Sequence, residues 1–242
     1  MQVEQATFTS AQRHNLQGYH LVARSQGISE NLAQTLSTWG PSHASLTGTS
    51  RYASSLNVFP AGEGWYALSR TIFGGPEYSA RGGLQVVTRY LVFRAEQLAG
   101  FQNNFIAVAR IALALGELRL QPEYSDRLPK VEFPDSSLLA EVPPPQRSYE
   151  TSSQLLPKLQ RTLSEYGPTA VVGESNPLRL LEELIQSIPV EKRLHLSFTT
   201  GLNPSVHRPF HLHFLPELDD SMQFRLEEQG ITALHSPLQP VH

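Results

Sequence analysis

The 242 residues carry a formal charge of only −3 and no cysteine. Disulfides, thiolate metal sites and thiol nucleophiles are therefore excluded, and the whole molecule has no electrostatic drive toward nucleic acid or an anionic membrane. Hydrophobic residues make up 40% and charged residues 17%, a balance that builds a core, while 18 prolines imply extended connections.

From the N-terminus, Met1 to Ala6 is polar and lacks the basic lead and apolar run of a secretory signal. The first part then reads as strands with two inserted helices. Tyr19 to Arg24 and Trp65 to Arg70 alternate with the period of a sheet, and Gln85 to Phe93 is the clearest strand. Between them Ser29 caps a helix with Leu32, Leu36 and Trp39 on one face, ended by Gly40 and Pro41. A second helix from about Asn103 to Leu115 is apolar almost all round, hence buried, and Gly116 closes it. It carries Arg110 and is too short for a membrane span, so a cytoplasmic protein with no membrane attachment is expected.

Periodicity disappears from Glu117 to Ser152, where prolines at 122, 129, 134, 143, 144 and 145 suggest a crossing segment. That places an N-terminal α+β domain at 1–116, a Pro-rich linker at 117–152 and a smaller α/β domain at 153–242. Within the last, Leu156, Leu159, Leu163 and Tyr166 form one helical face ended by Gly167 and Pro168, and a short strand follows at Thr169 to Val172. Asn176 and Pro177 start a helix with Leu181, Leu184 and Ile188 inward. Strands at Leu194 to Thr199 and Phe210 to Phe214 have a connection short enough for an antiparallel pair, and the tail from Glu217 has weak helical character at best. The fold class expected is α+β, with a predominantly antiparallel sheet, a few packed helices and two subdomains.

The chemistry is concentrated in two stretches. Between Ser69 and Gly83, glycines at 74, 75, 82 and 83 allow close backbone approach and free N–H groups, while Arg70 and Arg81 offer fork-shaped donors to a phosphate or carboxylate. The stretch is neither a P-loop nor a dinucleotide fingerprint, because no Gly-Lys-Ser/Thr and no helix follow. The plainer reading, which weighs more, is a pair of turns framing a long loop, with Glu77 pairing one arginine. His195, His211 and His213 would converge as a metal set only in one strand register, and a solvent-washed polar face is the simpler account. Ser42-His43-Ala44-Ser45 reads as a turn rather than a catalytic serine, and Glu182-Glu183 and Asp219-Asp220 read as solvated charges. No catalytic residue, metal ligand, cofactor site or nucleic-acid module is expected.

Two passages nevertheless resemble a known family. Gln5 to Ser10, Gly18 to Ser25 with Gly27-Ile28, Trp39 to His43, Phe59-Pro60 and Ser69 through Gly83 are similar to the type-two N-terminal domain of bacterial GTPase-associated proteins. Ile188-Pro189, Arg193, Ser197 to Leu202, Ser205 and Arg208-Pro209-Phe210 resemble the middle domain of the same proteins. The resemblance implies a cytoplasmic adaptor or regulator, not an enzyme, in a bacterial multi-component system of the defence or conflict type. Its partners would be a GTPase encoded nearby and other proteins of that system. Partner or ligand contact is expected at Arg70, Gly74, Gly75, Glu77, Tyr78, Arg81, Gly82 and Gly83, and in the second half at Thr199, Thr200 and Arg208, beside Gly201. Tyr78 would add rigid apolar area to such a contact, and Arg81 is a candidate arginine finger. The alternative is a small-anion or nucleotide binder, or an enzyme, using the same loop from Arg70 to Gly83.

Overall fold

A computed structural model of the chain describes residues 1–13, 16–48, 50–77, 83–120, 125–135 and 155–237. The first half supplies β1 (Gln2–Arg13), β2 (Leu16–Ser25), α1 (Glu30–Thr38), β3 (Ser54–Gly62), β4 (Trp65–Pro76), β5 (Leu84–Arg94), α2 (Ala95–Ala99) and α3 (Phe105–Leu115). Short strands β6 (Arg127–Leu128) and β7 (Val131–Glu132) lead to α4 (Leu155–Glu165), β8 (Thr169–Val172), α5 (Pro177–Ser187), β9 (Phe198–Thr199), β10 (Leu212–Leu215), α6 (Asp220–Glu228) and β11 (Thr232–His235).

The strands join into one sheet, ordered β11-β8-β10-β9-β3-β4-β5-β1-β2-β6, with β7 paired to β1. The fold is α+β as expected, but the sheet is mixed rather than predominantly antiparallel. β3, β4, β5, β1 and β2 pair antiparallel, whereas β9, β10, β8 and β11 pair parallel. The short connection after β9 does not make a hairpin. Leu202 instead bridges Leu46 of the first half, Asn203 N–H donates to Ser45 O at 2.7 Å, and a turn at Ser205–Arg208 returns the chain beside β9 in the same direction. Parallel neighbours require such a crossover, of about a dozen residues. The expected strand from Leu194 is confined to Phe198–Thr199, because Val190–His195 forms a 3-10 turn. The tail is also more ordered than expected: Asp219 caps α6 by accepting from Met222 N–H, and β11 adds to the sheet edge.

Local signals act where they were read. Ser29 caps α1, Asn104 caps α3, and Gly116 ends α3 in the left-handed region at φ 80°. Asn176 caps α5 with Pro177 at its first position. Strands β1 and β3 were not read from the sequence because side chains on both of their faces are buried, so no alternation survives.

Both faces of the sheet are covered. On one, α3, α4 and α5 pack Phe105, Ile106, Leu159, Leu181 and Leu184 against Leu56, Val58, Leu68, Leu91 and Phe93. On the other, α1 and the loop after β9 pack Leu32, Leu36, Leu202 and Phe210 on Phe8, Phe59, Tyr90 and Val92. At the far end α6 closes the second face with Leu226 on Ala170, Val172 and Leu215. The proposed linker falls largely on 121–124 and 136–154, outside the described residues.

Candidate functional site

The first group of expected residues lies on the β4–β5 hairpin. Arg70 stands opposite Leu56 on β3 and Arg89 on β5, half-buried, on the sheet face toward α3. Arg89 is 1% exposed and donates to Thr7 Oγ1 at 2.8 Å and Gln5 Oε1 at 2.6 Å. Arg89 thus directs its guanidinium toward β1, the strand on the side of β5 away from Arg70.

Further along, the register of β4 against β5 shifts between Phe73 and Gly75. Gly75 sits at φ 113°, a conformation that disfavours any side chain, and a Cβ on Gly74 would come within 2.3 Å of Val87 Cγ2. The glycine pair thus forms a bulge that bends the hairpin. Its outer end is closed by Glu77 N–H donating to Gly83 O at 2.9 Å, and Ser10 Oγ donates to Glu77 Oε1 at 3.1 Å. Tyr78, Arg81 and Gly82 lie outside the described residues.

The second group does not join the first. Thr199, on β9, is buried in a run of polar side chains that crosses four strands on the opposite face of the sheet. Its hydroxyl donates to Asn57 Oδ1 at 2.7 Å and meets Ser55 Oγ at 3.0 Å. Asn57 Nδ2 donates onward to Ser69 Oγ at 3.2 Å and Thr71 Oγ1 at 3.3 Å, and Thr71 meets Thr88 at 3.0 Å. Leu202 N–H donates back to Thr199 Oγ1 at 3.1 Å. Every hydroxyl and amide in this ladder is partnered, which makes it a structural seam between the two halves. Thr200 extends the seam: its hydroxyl accepts from Leu56 N–H at 2.8 Å and its own N–H donates to Leu56 O at 3.0 Å. Gly201 is required by space, since a Cβ there would lie 2.9 Å from Ser54 O. Arg208 lies under the same loop, buried, with Nη2 donating to Ser45 Oγ at 3.3 Å.

The three histidines are not brought together. His213 pairs in register with Thr199 and is buried, whereas His195 and His211 are exposed, His211 Nδ1 lying 2.9 Å from Ser197 Oγ. Partial desolvation of its ring lowers the His211 pKa, with His195 adding to the effect. Among the described residues no group of three His, Asp or Glu side chains is arranged to hold a metal. Ser42 to Ser45 forms the expected turn, with Ser42 N–H donating to Ser45 Oγ at 3.0 Å. Glu182 accepts both Arg110 Nη1 and Nη2 at 2.8 Å, tying α3 to α5.

One feature escaped the sequence reading. Glu4, buried in β1, accepts from Ser25 Oγ at 2.5 Å and Gly27 N–H at 3.2 Å and pairs with Lys130 Nζ at 2.7 Å. Burial pushes its pKa up, but Lys130, Ser25 and Gly27 together outweigh that and hold the carboxyl below its ordinary value. The group opens on a cleft of about 360 Å3 lined by Trp65, Arg94, Gln97 and Lys130, where the Arg94 guanidinium lies 3.8 Å over the Trp65 ring. A second cleft of about 490 Å3 is lined by Arg24, Ser25, Asp126 and Arg127. Glu4 stands among the polar residues Gln2, Gln5 and Thr7, so nothing local marks it as buried, and Gly27 is its partner through space, not through sequence.

No helix among the described residues is long and apolar enough to cross a membrane. No curated protein and no solved structure matches the chain. A family model does match over residues 2–134, the part containing the hairpin, the Glu4 cleft and the N-terminal side of the polar seam, and by it the chain belongs to the family of GTPase-associated protein 1, N-terminal domain type 2.

Proposed function

We propose that this protein is a non-enzymatic adaptor or regulator of a partner GTPase, working in the cytoplasm within a bacterial multi-component system of the defence or conflict type. The observation that carries the reading is the family match over residues 2–134, whose description names association with a GTPase. The contact is assigned to the β4–β5 hairpin. A bulge built from Gly74 and Gly75 and a closing bond from Glu77 to Gly83 fix the direction of this hairpin, and Arg70 stands on its stem. A loop carried on a rigid scaffold favours recognition, because the scaffold loses little conformational freedom on binding. The segment from 153 to 242, which resembles a middle domain, serves in this reading to brace the sheet behind the hairpin.

A small anionic ligand at the same loop is the second reading. Arg70 favours it, since its guanidinium is half-buried and has no hydrogen bond among the described residues, and an anion would pair with it. The test is a pull-down against the products of neighbouring genes with GTP and with GDP, repeated with Arg70→Ala and Arg81→Ala. A nucleotide-dependent GTPase partner lost in the folded variants is the expected result. No partner in either nucleotide state, with a co-purifying small molecule lost from Arg81→Ala, would overturn the adaptor reading in favour of the ligand.

A further inference from the structure

We propose that Arg208, His213 and Ser45 form the floor of a binding site for a small oxyanion of the phosphate class, set beneath the loop that follows β9. Arg208 is only 9% exposed, His213 1% and Ser45 5%. The guanidinium has a single hydrogen bond, Nη2 to Ser45 Oγ at 3.3 Å, and forms no ion pair among the described residues. Its Nε and His213 Nδ1 are two of only four buried side-chain nitrogen or oxygen atoms without a partner among the described residues. Phe210 links the two, its N–H bonded to Arg208 O and its ring edge-on to His213, and the nearby Arg208 charge adds to the lowering of the His213 pKa.

A cation taken out of water needs a compensating charge, because the desolvation cost otherwise stands. Tyr90, whose phenol also acts on Arg208, does not supply one. Burial pushes its pKa up beyond the ordinary phenol value, and the neutral hydroxyl donates to Leu36 O at 3.2 Å. What remains is a guanidinium and a hydroxyl with free donor capacity beside a neutral imidazole, and guanidinium and hydroxyl donors suit a tetrahedral oxyanion. Phe210 lies edge-on to His213 with ring centroids 5.8 Å apart, and Trp39 and Phe59 continue that apolar wall. Such surroundings strengthen any charge interaction made inside them.

The donors are held in place before any ligand arrives. Arg208 N–H donates to Ser205 O at 2.9 Å and Phe210 N–H donates to Arg208 O at 2.9 Å, so the backbone is tied on both sides. Ser45 is fixed by its own turn and by Asn203 N–H, 2.7 Å from its carbonyl. The site is distinct from the hairpin surface: Tyr90 and Arg89 are successive residues of β5, so the site and Arg70 lie on opposite faces of the sheet. It stands whether or not the GTPase reading does.

The experiment is titration of inorganic phosphate into the full chain, purified in phosphate-free buffer, by calorimetry and phosphorus NMR. The variants are Arg208→Gln and Ser45→Ala, with circular dichroism as the check on folding. Saturable one-to-one binding is expected, weakened about tenfold or more in Arg208→Gln and severalfold in Ser45→Ala. Should Arg208→Gln fail to fold, Ser45→Ala and His213→Gln carry the test, since loss of binding in either folded variant supports the site. Guanosine monophosphate is the second probe. Competition with phosphate identifies a phosphate carried on a nucleotide and failure to compete a free oxyanion, and both support the site when they depend on Arg208. No saturable binding below about 10 mM phosphate, or unchanged binding in folded variants, would overturn the proposal.

Discussion

The Thr199 hydroxyl donates to Asn57 Oδ1 at 2.7 Å, across 142 positions of sequence and with neither side chain open to solvent. This bond is the centre of the seam joining β9 to β3. The Thr199→Val variant keeps the shape but leaves Leu202 N–H without its acceptor and removes a donor from Asn57. A stability loss of about 1–3 kcal/mol is expected by urea denaturation. An unchanged midpoint would mean the seam contributes nothing net.

Gly27 tests the buried carboxylate. A Cβ at this position would lie 2.0 Å from Glu4 Oε1, so Gly27→Ala forces the carboxylate off Ser25 and Lys130. Overpacking of this kind costs about 1–3 kcal/mol, and thermal unfolding of the variant is expected to show it. Lys130→Ala on the same axis should cost less, because the lysine is 44% exposed and solvent replaces part of its interaction.

Stability should also depend on pH through His213. Burial lowers its pKa from 6.5 to about 4, with the carbonyls of Phe210 and Leu202 opposing and the Arg208 charge adding to the fall. The unfolded chain therefore binds a proton near pH 6.5 that the folded chain refuses until about pH 4. Stability is full above that window and declines as pH falls through it, by about 3 kcal/mol. Glu4, whose folded pKa is also depressed, loses its contribution lower in the acid range. Denaturation midpoints measured from pH 7.5 to 4 should fall in the parent chain, and His213→Gln should flatten the upper part of the decline. Parallel profiles for the two would refute the assignment.

The hairpin offers a separation of structure from recognition. Gly75→Ala places a side chain at φ 113° and is expected to cost about 1–3 kcal/mol while altering the direction of the loop. Arg70→Ala, at a half-buried position with no hydrogen bond among the described residues, should leave the melting temperature nearly unchanged yet weaken GTPase capture. Equal capture by both variants would remove the hairpin from the interface.

Much of the local structure was legible because short-range chemistry sets it. Ser29, Asn176 with Pro177, and Gly116 mark helix ends through bonds within a turn of backbone, and Gln85 to Phe93 declares a strand by its β-branched and aromatic side chains. The α6 helix was missed despite Asp219 at its cap, since its apolar residues form no stripe: Leu226 is buried while Phe224 points to solvent. The site residues divide in the same way. Gly74 and Gly75 were singled out by their chemistry, yet their role as a bulge depends on Val87 of the neighbouring strand.

By itself the sequence determined the class of the fold, the ends of its helices and the family to which residues 2–134 belong, because each is encoded in neighbouring residues or in a pattern of them. Tertiary structure alone decided that β9 runs parallel to β10, that Thr199 meets Asn57, that Glu4 lies over Gly27 and that Arg208 is buried beside His213. All but the Glu4 contact follow from where the loop after β9 packs against the first half, a choice set by burial of Leu202 and Phe210 among residues more than 100 positions away. Pairing direction and buried charge are properties of that packing, which no local pattern records.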